Sequence, residues 1–284
     1  MRFNWLGNPS VEKDGVRVGF ETRKALALLV FLSMREGLIS REALSLIFWP
    51  DFERARAFAN LRRTLSSLRS SLGEGFLDIG RDAIGLENKS QPEIDIREFQ
   101  SLVGIVRSHR HAEGIECQSC LNSLASAVAL YKADFLFGFN VKNAEDFEEW
   151  QNDQRENLRL SLAWALERLA KASLLSGVLE TALDYAKRWT LMDVYNERAR
   201  RTLMLGYALS GRPGAALQHY EEYEGLLWSS FGEKPCEEMR EFRGAIGSGN
   251  YDFSSLERVD VGKRFLRDKG KGEDERARLL LVRQ

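Results

Sequence analysis

The sequence predicts a mainly α protein, in which a small α+β winged helix-turn-helix domain precedes an all-α domain of tetratricopeptide-like helical repeats. Residues 1–93 combine short strand-like segments with three helical segments and end in a hairpin pattern. From about residue 119 onward nearly every segment has helical periodicity, and part of it recurs at a spacing of 34 residues. We therefore predict domains at 1–93 and 94–247, followed by a charged, flexible tail at 248–284.

The composition is that of a globular protein with a core, since 44% of the residues are hydrophobic. The net charge is −1, so only local charge can indicate a partner. The N-terminus lacks the apolar segment of a signal peptide, and the longest apolar run, ALALLVFL, is too short to span a bilayer. Three cysteines without an export signal argue against a disulfide framework. We expect a soluble, cytoplasmic protein without a membrane partner.

The N-terminal domain begins with short strands over residues 2–20, which alternate polar and apolar side chains around turn residues. Thr22 is a candidate N-cap for a helix that ends before Gly37. Ser40 caps a second helix, which Pro50 stops.

The third helix, predicted over residues 54–72, carries five arginines and no acidic residue. Its apolar side chains recur at steps of three and four and are expected to pack inward. The opposite face can meet the major groove, because Arg pairs bidentately with guanine and Asn with adenine. The following hairpin would form the wing, with Arg81 at its tip. The inward side chains are Phe58, Leu61, Leu65, Leu68 and Leu72, and the outward ones Arg56, Asn60, Arg63, Ser67 and Ser70.

The second domain contains a repeat of helix–turn–helix type. At an offset of 34 residues Gly177 matches Gly211, and Ala182 matches Ala216. This period is typical of tetratricopeptide repeats, in which the glycines fit the turn and the alanines let helices approach. The aromatic residues Trp189, Tyr207, Tyr220 and Tyr223 suit either the repeat core or a groove lining, and core is the favoured interpretation. We predict helices at about 94–108, 119–137, 144–176, 179–192, 196–210, 213–230 and 236–246.

These segments resemble a known family. TRKALALLVFLSMREGLISREALSLIFWPD and ARAFANLRRTLSSLRSSLG are similar to the OmpR-type winged helix of the antibiotic-regulator (SARP) activators. Residues 94–246 resemble the bacterial transcriptional activator domain (BTAD), most specifically in AVALYKADFLFGF and FEEWQNDQRENLRLSLAWALERLA. The resemblance implies a transcriptional activator that binds direct repeats in double-stranded DNA near promoters and contacts RNA polymerase.

The resemblance also assigns candidate DNA contacts. It places Arg56, Asn60, Arg63 and Ser67 at the bases. Helix N-termini favour phosphate oxygens in any case, which suits the starts of the first two helices. The candidates for phosphate contact are Thr22, Arg23, Lys24, Arg41, Arg54, Arg62, Arg69 and Arg81.

Two other classes of function compete with a DNA-binding regulator. In a protein–protein scaffold the repeats would bind a partner and the winged helix would not bind DNA, but a protein-binding helix would more often present apolar side chains outward. An enzyme is not expected, because no catalytic constellation and no GxxxxGK[ST] phosphate loop occurs. The missing phosphate loop favours a short architecture or a truncated form of a longer one. For the regulator, we expect the repeats to serve protein or effector interaction and dimerisation.

A histidine- and cysteine-rich segment, HRHAEGIECQSC, could hold a structural zinc ion. His109, His111, Cys117 and Cys120 would supply two nitrogens and two sulfurs, enough for a closed tetrahedral site. The alternative is an exposed polar loop between the domains, and no cofactor is required by the rest of the sequence.

Overall fold

The computed structural model describes residues 1–87, 92–110 and 117–251. The predicted fold class is confirmed, since the described residues form ten helices and seven short strands. The chain divides into two compact units, Met1–Ala172 and Ser173–Gln284, which we call the first and the second unit.

The first unit begins with two small sheets and three helices. The elements are β1 (Arg2–Asn4), β2 (Ser10–Lys13), β3 (Val16–Arg17), α1 (Arg23–Ser33), β4 (Ile39–Ser40), α2 (Arg41–Phe48), α3 (Arg54–Leu72), β5 (Leu77–Ile79), β6 (Ala83–Leu86) and β7 (Glu93–Ile94). One sheet has the strand order β3-β2-β1-β7, in which β1 runs antiparallel to β2 and parallel to β7. The other sheet has the order β4-β6-β5 and is antiparallel throughout.

The two predicted N-caps of this region are confirmed. The Thr22 hydroxyl accepts a hydrogen bond from the Ala25 N–H at 3.1 Å, and the Ser40 hydroxyl accepts one from the Ala43 N–H at 3.1 Å. Each hydroxyl satisfies a backbone donor that the first turn of a helix leaves without a partner. These caps fix where α1 and α2 begin.

Seven helices follow, and one of them differs from its predicted bounds. The helix predicted over 119–137 ends at Leu130, because residues 131–139 pair instead with the backbone that follows β1. The Gly7 N–H donates to the Asp134 carbonyl at 3.2 Å, and the Leu136 N–H donates to the Trp5 carbonyl at 3.0 Å. The helices are α4 (Asp95–Ser108), α5 (Gln118–Leu130), α6 (Glu145–Leu175), α7 (Leu179–Met192), α8 (Glu197–Leu209), α9 (Pro213–Phe231) and α10 (Glu237–Ser248).

An aromatic cluster joins α1 and α2 to the start of α6 within the first unit. Phe31 packs edge-on against Phe48, with ring centroids 5.8 Å apart, and against Trp150 at 4.8 Å. Phe147 lies 5.3 Å from Phe48. The predicted winged helix therefore shares a core with α6, because rings contributed by both are packed together.

The second unit confirms the helical repeat. Gly177 and Gly211 occupy the turns after α6 and α8 with φ angles of 71° and 75°, a conformation that glycine adopts without steric cost. Ala182 and Ala216 are buried where neighbouring helices approach closely. Trp189, Tyr220 and Tyr223 are buried, and Tyr207 is partly buried against the core, as the core interpretation predicts.

Candidate nucleic-acid interface and histidine–cysteine cluster

Helix α3 presents its polar face outward because its apolar face packs against α1 and α2. Leu61, Leu65, Leu68 and Leu72 are buried as predicted. Phe58 is only half-buried, and Ala57 is buried on the same side instead. Helix packing thus fixes which side chains of α3 reach solvent.

The central outward side chains of α3 have no partner of their own within the part of the chain that the structure describes. Arg62 and Arg63 are exposed, and Asn60 and Ser67 are half-buried. No side-chain hydrogen bond or ion pair joins any of these four to another described residue. Arg56 is exposed as well, and its guanidinium lies 4.7 Å from the centre of the Phe52 ring. The face therefore offers hydrogen-bond donors that folding leaves to solvent.

The arginines at the two ends of α3 form exposed ion pairs. An Arg54 nitrogen lies 3.4 Å from a Glu42 oxygen, and an Arg69 nitrogen lies 3.0 Å from a Glu74 oxygen. Pairs of this kind contribute about 0.2–1 kcal/mol because water screens them. An incoming phosphate could replace either carboxylate at little cost.

The hairpin of β5 and β6 has the predicted wing position. Arg81 is exposed at its tip. The Arg41 side chain donates from Nε and a terminal nitrogen to the Gly80 carbonyl, at 3.2 and 3.1 Å, and the Arg41 N–H donates to the Asp82 carbonyl at 2.9 Å. Arg41 therefore anchors the turn of the hairpin, and its side chain already has an acceptor.

The basic residues at the start of α1 also have acceptors within the first unit. Arg23 donates to the Gly138 carbonyl at 3.2 Å, and Lys24 donates to the carbonyl groups of Phe48 and Asn143. Burial lowers the pKa of the Lys24 amine, although the Asp51 carboxylate acts in the opposite direction. These contacts favour a structural role for Arg23 and Lys24, and phosphate contact by either side chain stays a prediction.

One buried charged group was missed by the sequence analysis. The Asp95 carboxylate accepts N–H groups from Trp5 at 2.9 Å, Leu6 at 2.9 Å and Ile96 at 2.8 Å. Burial raises the pKa of this carboxyl, against the three backbone donors, which lower it. Because acidic residues are common in the first turn of any helix, no local signal in the sequence distinguishes Asp95.

Three of the four proposed metal ligands are brought together between α4 and α5. His109 follows the last residue of α4, Cys117 precedes the first residue of α5, and Cys120 lies in the first turn of α5. The ligand atoms of the three side chains all lie within 4.8 Å of one another. Burial raises the pKa of the Cys120 thiol, as does Cys117 beside it. The fourth predicted ligand, His111, lies outside the described residues.

The fold is that of a winged helix-turn-helix followed by tetratricopeptide-like helical repeats. Residues 94–246 match the family model described as the bacterial transcriptional activator domain. This match covers more than half of the 284 residues, so the chain belongs to that family. The predicted resemblance to this family over residues 94–246 is thereby confirmed, and the family is one of transcriptional regulators.

The chain is also similar to curated regulatory proteins. It is 26% identical over 247 residues to the regulatory protein AfsR of Streptomyces coelicolor, and 26% identical over 249 residues to AfsR of Streptomyces griseus. Each alignment covers 87% of this chain and 24% of the relative. The chain thus spans about a quarter of the length of these relatives.

A solved structure shares the fold. The structure described as Mycobacterium tuberculosis EmbR in complex with a low affinity phosphopeptide matches with a TM-score of 0.68 at 21% sequence identity. The match covers 90% of this chain and 68% of that chain.

Among the described residues, no helix is both long and apolar enough to cross a membrane.

Proposed function

We propose that the protein is a sequence-specific transcriptional regulator, and an activator, that inserts α3 into the major groove of double-stranded DNA. The single observation that carries the proposal is the outward face of α3. Arg56, Asn60, Arg63 and Ser67 point away from the core on a face without a carboxylate, and folding uses none of them for a hydrogen bond or ion pair to a described residue. Membership of a transcriptional activator family supports the same function.

The side chains of this face are those that distinguish bases. A guanidinium can donate two hydrogen bonds to guanine, and an amide can pair with the donor and acceptor of adenine. Arg63 and Asn60 lie three residues apart, so both side chains belong to one side of the helix. Arg54, Arg62, Arg69 and Arg81 would contact phosphates beside them, which adds affinity without sequence preference.

The proposal is tested by selecting genomic fragments on the purified protein and measuring affinity at several salt concentrations. The Asn60→Ala/Arg63→Ala variant should lose the enriched motif and keep weak, salt-sensitive binding. Two lost base contacts of about 1–3 kcal/mol each correspond to a loss of specific affinity of roughly 30-fold or more. Asn122→Ala/Lys132→Ala is a matched control, since it removes an exposed amide and an exposed cation away from α3.

The proposal is wrong if the wild-type protein enriches no motif and binds DNA no more tightly than the roughly 10⁻⁴–10⁻⁶ M of non-specific association. It is also wrong if the Asn60/Arg63 variant keeps the same motif and affinity as the control. In either case the helical repeats would be the functional surface, and the protein would act as a protein–protein scaffold.

We further propose that the second unit binds a protein partner, RNA polymerase or another protein, and assists dimerisation. An exposed aromatic residue on α9 supports this role, because Trp228 is 62% exposed beside the carboxylates of Glu221 and Glu224. Such a surface suits a partner with apolar and basic side chains. In a reconstituted transcription assay, Trp228→Ala should retain DNA affinity and lose activation, whereas equal activation by this variant would exclude Trp228 from the contact.

A further inference from the structure

The histidine–cysteine cluster lies where two helices of the first unit meet. Helices α4 and α5 pack against each other along their length. His109 is at the end of α4, and Cys117 and Cys120 are at the beginning of α5. Residues 109–117 separate the two helices in the sequence, and His109 and Cys117 are the first and last of them. Side chains on both sides of this connection therefore face a common point.

The distances between the ligand atoms agree with those around a tetrahedral zinc ion. With Zn–S bonds of about 2.3 Å and Zn–N bonds of about 2.0–2.1 Å, a nitrogen and a sulfur ligand lie about 3.5 Å apart. His109 Nδ1 lies 3.6 Å from the Cys117 Sγ and 3.1 Å from the Cys120 Sγ. A movement of a few tenths of an ångström in the His109 ring would bring both distances to the expected value.

The ligand types select among metals. Two thiolates and one imidazole suit zinc, whereas magnesium and calcium prefer oxygen ligands. The cluster is also accessible, because His109 is exposed and Cys117 is half-buried, while Cys120 is buried beneath them. An ion can enter from solvent and be held against the helix ends.

We propose that His109, Cys117 and Cys120 bind one Zn²⁺ ion, which joins the end of α4 to the start of α5. The described residues supply three ligands, and a fourth ligand completes the tetrahedron. The role is structural, since the ion links two helix ends across the connection between them. The site is separate from α3, so its test does not depend on DNA binding.

The test uses the full-length, reduced protein freed of metal with a chelator and titrated with Co²⁺, which replaces Zn²⁺ and absorbs light when bound to thiolates. The wild-type protein should bind one equivalent, with thiolate-to-cobalt charge-transfer absorption that Zn²⁺ abolishes. Cys117→Ser and Cys120→Ser should lose this absorption, and His109→Ala should bind more weakly. Cys236→Ser is the control, because Cys236 lies in the second unit at the start of α10.

A second measurement needs no variant. With wild-type protein, Zn²⁺ should protect two of the three cysteines from a thiol reagent and raise the melting temperature. The proposal is overturned if Co²⁺ gives no charge-transfer absorption with fully reduced protein, or if Zn²⁺ protects no thiol. It is equally overturned if a folded Cys117→Ser/Cys120→Ser variant binds the metal as tightly as the wild type.

Discussion

Replacement of Asp95 by asparagine is the sharpest test of how the first unit is held together. The two carboxylate oxygens divide three backbone donors between them. Oδ1 accepts from Ile96, Oδ2 accepts from Leu6, and the Trp5 N–H lies 2.9 Å from both. This arrangement joins the first turn of α4 to the backbone that follows β1.

The size of the effect follows from this geometry. Asparagine keeps one oxygen, so the N–H of either Leu6 or Ile96 loses its acceptor and faces an NH₂ group instead. A lost hydrogen bond to a charged group costs about 1.5–3 kcal/mol, and a buried donor without a partner costs about 1–3 kcal/mol. Because these two estimates overlap in part, we expect Asp95→Asn to lower the free energy of unfolding by about 2–5 kcal/mol. That is a large share of the roughly 5–15 kcal/mol of a typical domain.

Urea unfolding followed by tryptophan fluorescence measures this effect, since Trp5, Trp49, Trp150 and Trp164 all lie in the first unit. The tryptophans of the second unit add a separate transition if the two units unfold independently. Glu98→Gln makes the same change from acid to amide at an exposed position in the first turn of α4 and should cost less than about 1 kcal/mol. The reasoning is refuted if the two variants unfold at the same urea concentration.

Three further predictions concern the wing, a half-buried histidine and the basic surface. Gly85→Ala should lower the free energy of unfolding by about 1–3 kcal/mol in urea unfolding, because a Cβ there would lie 2.7 Å from the Gly37 carbonyl oxygen. Partial burial lowers the pKa of His219 below its ordinary value of 6.5, so the unfolded chain binds a proton more readily than the folded one. The contribution of neutral His219 to stability is therefore present above pH 6.5 and is lost as the pH falls, so the melting temperature of His219→Gln should fall less than that of the wild type on acidification from pH 7. In DNA-binding assays, Arg62→Ala should reduce the slope of the logarithm of the binding constant against the logarithm of the salt concentration by about 0.9. Arg41→Ala should leave this slope unchanged and destabilise the protein. Equal slopes for Arg62→Ala and the wild type would contradict the phosphate contact.

The parts of the fold that local chemistry determines were predicted well. The caps at Thr22 and Ser40 depend on a hydroxyl within three residues of the N–H that it satisfies, so the sequence contains the whole interaction. The helical repeat was found because the turn glycines and the small packing residues recur at one spacing. The end of α5 was not predicted, since residues 131–139 are apolar enough for a helix but pair with the backbone near Trp5 and Gly7. Only the folded chain brings those segments together.

The outline of the candidate site could also be predicted from local sequence patterns. The outward face of α3 follows from helical periodicity, and the structure brings together three of the four proposed metal ligands. Contacts between residues far apart in the chain determine the roles of the other basic residues. The acceptor of Arg23, at Gly138, and one of the two acceptors of Lys24, at Asn143, lie more than a hundred residues away in the chain. Sequence position at a helix start is therefore insufficient to separate a phosphate contact from a structural one.

Basic residues around α3 and at its two ends have acceptors within the protein, whereas the arginines at the centre of α3 have none among the described residues. The chain has 42 acidic residues against 41 basic ones, so carboxylates are not scarce. Arg41 donates to the Gly80 carbonyl and Arg23 to that of Gly138, and the arginines at the ends of α3 pair with glutamates. Between those ends, the exposed side chains of Arg62 and Arg63 have no carboxylate partner among the described residues. An anionic partner would supply the acceptors that this face lacks, and a polyanion with base edges matches both its charge and its amide group.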